Sequence, residues 1–145
     1  MANQSEAAAQ FKHLFTPLRI GSFTVRNRIV STAHGTSFGL GGLPSQRHLD
    51  YWVSKAKGGI GLIITETSPV HPSAGLAPTS VQLWRDDIID PLRRIVDVIH
   101  EHGTRIVVQM NHTGAHGGAG PLDPRWSSPL AADPTMLSGR LSRDR

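Results

Sequence analysis

Apolar positions recur along this chain in two rhythms, and the switches between them mark out its elements. Leu18-Arg19-Ile20 and Phe23-Thr24-Val25 alternate around Gly21-Ser22, the composition of a two-residue II′ hairpin whose first central position wants glycine. Arg28 to Ala33 then carries β-branched residues into a glycine-rich stretch from His34 to Gly42, predicting a first core strand and a loop. After Pro44, Ser45 stands where a helix cap belongs, and Leu49, Trp52, Val53 and Ala56 fall on one helical stripe. Gly58-Gly59 ends that helix.

Ile60 to Thr65 is a nearly continuous apolar run bounded by glycine, too short for a helix and suited to a strand covered on both faces. Asp86-Asp87 and Pro91 favour a second helix start, and Leu92, Ile95, Val96 and Ile99 repeat the one-sided spacing until Gly103. Arg105 to Met110 is a third apolar strand, and from Asn111 onward Gly, Pro, Ser and Asp predict mostly loop. Strand, helix, strand, helix, strand is the pattern of parallel βαβ units. Strand centres near Val30, Leu62 and Val107 lie 32 and 45 residues apart, room for a crossover helix each time. An open doubly wound sheet and the start of a closed (β/α)₈ barrel both satisfy this pattern.

Composition narrows the class without naming an activity. The 145 residues, 38% hydrophobic and 18% charged, describe a globular chain, and the absence of cysteine removes disulfides, thiolate metal sites and a cysteine nucleophile. No run approaches the roughly 18 apolar residues of a membrane span, and Met1 to Gln10 lacks an apolar signal core, so a cytoplasmic location is expected. Half of the net +4 sits in the last six residues, which hold Arg140, Arg143 and Arg145 with a single acid, Asp144. No basic cluster is interleaved with aromatics, so no nucleic-acid partner and no membrane partner is expected.

Both architectures bind ligands at the carboxyl ends of their parallel strands. All three apolar runs turn polar there, in Ala33-His34-Gly35-Thr36, Thr65-Glu66-Thr67-Ser68 and Gln109-Met110-Asn111-His112. Small residues beside glycine let a flat ligand approach the backbone, and a glutamine amide offers a donor and an acceptor to a heteroaromatic edge. Strands also turn polar simply where they surface. The glycines from Gly35 to Gly42 have the wrong spacing for a dinucleotide fingerprint, and no phosphate-loop lysine follows. His112 and His116 have zinc-binding spacing only on a helix, which Gly114, Gly117 and Gly118 disfavour, so no metal is expected. His100 and His102 suit the carbonyls at a helix end, Trp52 suits the core, and no Ser-His-Asp arrangement stands out. Glu66 reads as a general base at a barrel mouth or, preferably, as a structural hydrogen-bonding group.

Three segments carry a family resemblance. Leu14 to Gly21 followed by Val25-Arg26-Asn27-Arg28-Ile29-Val30, then Lys57 to Glu66, then Val108 to Gly114, resemble in order the opening of the old yellow enzyme family of FMN-dependent oxidoreductases. Ser31 to His34 and Val70 to Ser73 are most similar to its branch with 2,4-dienoyl-CoA reductase-like and amine-demethylating members. The resemblance implies the N-terminal portion of a (β/α)₈ TIM barrel, with a short β-hairpin before the first barrel strand. It implies FMN held at the carboxyl face, NADH or NADPH as electron donor, and a small electron-poor alkene or amine as substrate. A full-length form would be a possible homo-oligomer.

Matched position by position, Ala33, His34 and Gly35 correspond to the family's segment against the isoalloxazine, and Thr67 to a small residue near a flavin carbonyl. Gln109 corresponds to the glutamine that pairs with the pyrimidine edge. Ala115 stands where the family commonly has arginine after Gly114, so that arginine's role does not transfer. The expected organisation is a polar tail over residues 1–13 and a partial FMN barrel of three strands over 14–145, mostly loop from 111. Such a barrel takes roughly 250 residues. The expectation is therefore an N-terminal fragment, its catalytic residues unidentified and its isolated activity in question. A non-catalytic truncated chain or a small α/β binding module is the alternative.

Overall fold

The computed structural model describes residues 9–74 and 78–113. The hairpin forms as expected: β1 (Leu18–Ile20) pairs antiparallel with β2 (Phe23–Val25), placing Ile20 opposite Phe23. Gly21 takes φ +58° and Ser22 does not turn positive, which is what a II′ turn requires. A parallel sheet follows, in the order β3 (Val30–Ser31), β4 (Leu62–Pro69), β5 (Arg105–Asn111).

Helix α1 (Gln46–Lys57) connects β3 to β4, and α2 (Ile89–Glu101), entered through a 3₁₀ turn at Asp86–Ile88, connects β4 to β5. Trp52 and Ala56 of α1, Ile63 of β4 and Ile95 and Ile99 of α2 form one buried cluster. Each of the three isoleucines contributes about 1.5–3 kcal/mol on leaving water. The helical stripes read from the sequence are therefore the faces that seal the sheet.

The strands depart from their expected bounds. The first keeps only Val30–Ser31 of the expected 28–33: Thr32 onward leaves the ladder, and His34 reaches Tyr51 of α1. The second starts at Leu62 and runs on to Pro69, well past Thr65. Asn111, expected in the loop, closes β5 opposite Pro69. The expectations for residues 1–8 and 114–145, His116 among them, lie outside the described residues.

Arg26 and Asn27 join the hairpin to the amino ends of the sheet. The Arg26 guanidinium donates to Ala56 O (3.1 Å), Ile60 O (3.2 Å) and Thr104 Oγ1 (3.2 Å), and Asn27 Nδ2 donates to Gly59 O (2.7 Å). The arginine thereby adds a second donor to the Ala56 carbonyl at the end of α1, which already accepts from Gly59 N–H. Gly61 packs directly on Asn27: a Cβ there would stand 2.5 Å from Asn27 O. The end of α2 is closed by the backbone N–H groups of His102 and Gly103, which donate to Ile99 O and His100 O. The expected imidazole capping by His100 and His102 is thus replaced by backbone.

Candidate functional site

At the carboxyl ends of the three strands, the polar residues read from the sequence fall into separate hydrogen-bonded groups. Two of these groups diverge at a β-bulge in β4. Ile64 stands opposite Val107 and Thr67 opposite Gln109, so β4 uses three steps where β5 uses two. Val107 and Gln109 share a face of β5, which puts Ile64 and Thr67 on one face of β4 despite their odd separation. Thr65 Oγ1 accepts from the Gln109 N–H (3.4 Å), standing in for a ladder carbonyl. The extra residue sends neighbouring side chains to different places: Thr67 to Gln109, Glu66 to helix α1.

Thr67 Oγ1 donates to Gln109 Oε1 at 2.6 Å. With the amide oxygen engaged, the Gln109 amide presents its two N–H donors at an exposed strand tip, and no acceptor takes them among the described residues. Ala33, His34 and Gly35 lie at the same end of β3. The His34 imidazole is taken up locally by Tyr51 OH of α1 and by Thr32 O, in an edge-on ring contact with Tyr51 at 5.6 Å. The backbone of this segment thus remains as its contribution at the tips. Among the described residues, a Cβ built on Gly35 would meet nothing within 4 Å, so that side of it is open to them.

Glu66 is buried, and its structural role, preferred from the sequence, is what the contacts show. Oε2 accepts from Thr36 N (2.6 Å), Thr36 Oγ1 (2.7 Å) and Ser37 N (3.2 Å), and Oε1 accepts from His48 Nε2 (2.6 Å). Ser45 N–H donates to His48 Nδ1 (3.1 Å), which places the imidazole proton on Nε2, towards the carboxylate. Burial pushes the Glu66 carboxyl up, but the hydrogen bonds from His48 and Thr36 outweigh it and hold it down at about 2.

His48 and Ser37 were not singled out by the sequence reading, which took Thr36 only as the polar end of the first strand. The signal for His48 was present: it lies four residues before Trp52 on the buried stripe, where an imidazole needs a partner, and its ring stacks on Trp52 at 4.9 Å. Ser45 occupies the cap position with extended backbone, and its N–H donates to His48 Nδ1 at the third position of the helix, the side-chain half of a capping box.

The loops after β4 and β5 are tied together. Ser73 Oγ lies 2.7 Å from His71 Nδ1 and 2.9 Å from His112 Nε2. His112, considered above as a zinc ligand, is thus engaged with a serine, and among the described residues no three His, Asp or Glu side chains gather as a metal site requires. Among the same residues no helix is long and apolar enough to cross a membrane.

Parallel strands with polar tips at one end and a hairpin packed at the other fit both a barrel opening and one half of an open sheet. Likeness to solved barrels decides between them. Morphinone reductase superposes with a TM-score of 0.66 at 29% identity over 71% of this chain and 27% of its own. The fold is that of the N-terminal portion of a (β/α)₈ barrel enzyme.

Residues 13–139 match the NADH:flavin oxidoreductase / NADH oxidase family, and the chain belongs to that family. It is 41% identical over 72% of its length to the N,N-dimethylglycine/sarcosine dehydrogenase of Chromohalobacter salexigens, and 32% identical over 70% to the probable N-methylproline demethylase of Rhizobium meliloti. It spans 15% of the length of each of these relatives. The family uses FMN with NADH or NADPH as electron donor. An open approach at Gly35 and an oriented, outward-facing amide at Gln109 suit a flat ring with carbonyl acceptors on one edge, so the residues present fit that cofactor.

Proposed function

We propose that this chain supplies the flavin-facing opening strands of an FMN-dependent oxidoreductase, with residues 14–145 as a partial FMN-binding barrel behind a polar tail of residues 1–13. Bound FMN would supply the hydride chemistry: NADH or NADPH is the donor where an electron-poor alkene is reduced, whereas an amine is itself the hydride donor and an electron acceptor must then reoxidise the flavin. The chain's own residues bind and orient. Gln109, held by Thr67, donates to the pyrimidine edge. Ala33, His34 and Gly35 offer backbone against the ring plane, and Thr67 lies near a ring carbonyl. The substrate class is a small N-methylated amine, favoured over an electron-poor alkene by the relatives named for N,N-dimethylglycine, sarcosine and N-methylproline.

The observation that carries this reading is the Thr67–Gln109 hydrogen bond across adjacent strand tips, which spends the amide oxygen inside the protein and leaves the donors for a ligand. Titrating the purified chain with FMN, followed by quenching of flavin fluorescence, is the test. Saturable binding is expected, and Gln109→Leu should weaken it by about 5- to 150-fold, the 1–3 kcal/mol cost of unpaired polar groups. Equal affinity in the variant removes Gln109 from the site, and absence of saturable binding to the wild type defeats the proposal.

A further inference from the structure

Ser37 has φ +56° and is the one non-glycine residue of positive φ among the described residues. Such a conformation costs a serine of order 1 kcal/mol and persists only where surrounding contacts over-determine it. Here the contacts are in view. The N–H groups of Thr36 and Ser37 are consecutive and both point at Glu66 Oε2, at 2.6 Å and 3.2 Å, with Thr36 Oγ1 as a third donor at 2.7 Å. Consecutive backbone N–H groups ending in a left-handed residue make a small anion-holding concavity. In this chain the anion is internal: a buried carboxylate from the neighbouring strand.

The geometry points to Glu66 as a positioning residue, whose carboxylate fills the Thr36–Ser37 concavity and so fixes the backbone of Ala33, His34 and Gly35 at the strand tips. The inference rests on the flavin reading for what that backbone contacts, but not for what Glu66 holds. Two features set the carboxylate in place. The bulge at Thr65–Glu66 turns it away from the face carrying Thr67, and His48 of α1 clamps its other oxygen at 2.6 Å. The first loop is thereby referenced to both β4 and α1. Phe38 adds to this by packing against His48 and Tyr51, at ring separations of 5.6 Å and 5.8 Å.

Amide hydrogen exchange on the whole chain, without flavin, reads the holding role. In Glu66→Gln the side-chain amide sets a donor against at least one of the donors now facing the carboxylate. Exchange at Thr36 and Ser37 should accelerate about tenfold or more, the loss of one charge-assisted bond, while Ile63 and Ile99 keep their protection. Unchanged rates at Thr36 and Ser37, or equal acceleration through the core, overturn the inference. Should Glu66→Gln fail to fold, Thr36→Val, which deletes only the hydroxyl donor, should still accelerate the same two amides severalfold, and no change there overturns it equally.

The flavin readout is separate. In either variant the FMN dissociation constant should rise several- to tenfold, and the visible band of bound FMN should relax towards that of free flavin. Loosened amides with unaltered FMN affinity and spectrum break the link from Glu66 to the ligand. A wild-type chain that binds no FMN defeats the proposed function, while the exchange rates still decide what Glu66 holds.

Discussion

Glu66 keeps its charge inside the protein because four donors face it, and that arrangement has a pH signature. Its carboxyl is held at about 2 against an ordinary 4.5, so folding favours the anion. The stabilisation is complete above the unfolded value and is lost as pH falls from about 4.5 towards 2. Thermal midpoints of the wild type should therefore decline across that window. Glu66→Gln should start lower at neutral pH, by about 2–3 kcal/mol for breaking a buried charged network, and then decline less steeply. Parallel declines in the two proteins would show that other carboxyl groups govern the acid transition.

Glycines at two element ends separate packing from ligand access. A Cβ on Gly61 would meet Asn27 O at 2.5 Å and Asn27 Oδ1 at 2.7 Å, and Asn27 is buried with its amide committed to Gly59 O. Gly61→Ala should cost about 2 kcal/mol or more, because backbone rather than a movable side-chain tip must yield. Gly35→Ala meets nothing within 4 Å and should leave stability within about 0.5 kcal/mol. Thermal melts of the two variants make the comparison, and a Gly61→Ala protein as stable as the wild type would refute the tight packing at Asn27. The sequence disclosed both helices through Leu49, Trp52, Ile95 and Ile99, and disclosed the hairpin through Gly21, because those signals are local. It disclosed Gln109 and Thr67 as separate polar ends of apolar runs. What it could not disclose is the bulge at Thr65–Glu66, since a ladder register exists only between two strands, and alternation along β4 alone would place Thr67 on the face opposite Ile64. The same long-range pairing hid the Glu66–Thr36–Ser37–His48 network, whose partners lie up to 30 residues apart.

Across the molecule, burial is uneven. The face of the sheet behind α1 and α2 is sealed by Trp52, Ile63 and Ile99, whereas β5 carries Val107, Val108 and Met110 exposed at 37%, 38% and 72%. Among the described residues β5 pairs with β4 alone, so its outer row of N–H and C=O groups is open. In a closed barrel each strand is flanked by strands on both sides, and no such edge exists. An open edge lined with valine on both faces is a template for strand addition, and the 145-residue chain should self-associate through it as concentration rises. Val108→Lys puts a charge on that edge without entering the core, and should reduce association severalfold in sedimentation velocity while leaving the thermal midpoint within about 0.5 kcal/mol of the wild type. Association undiminished by the lysine would place the contact elsewhere and show that β5 is covered in solution.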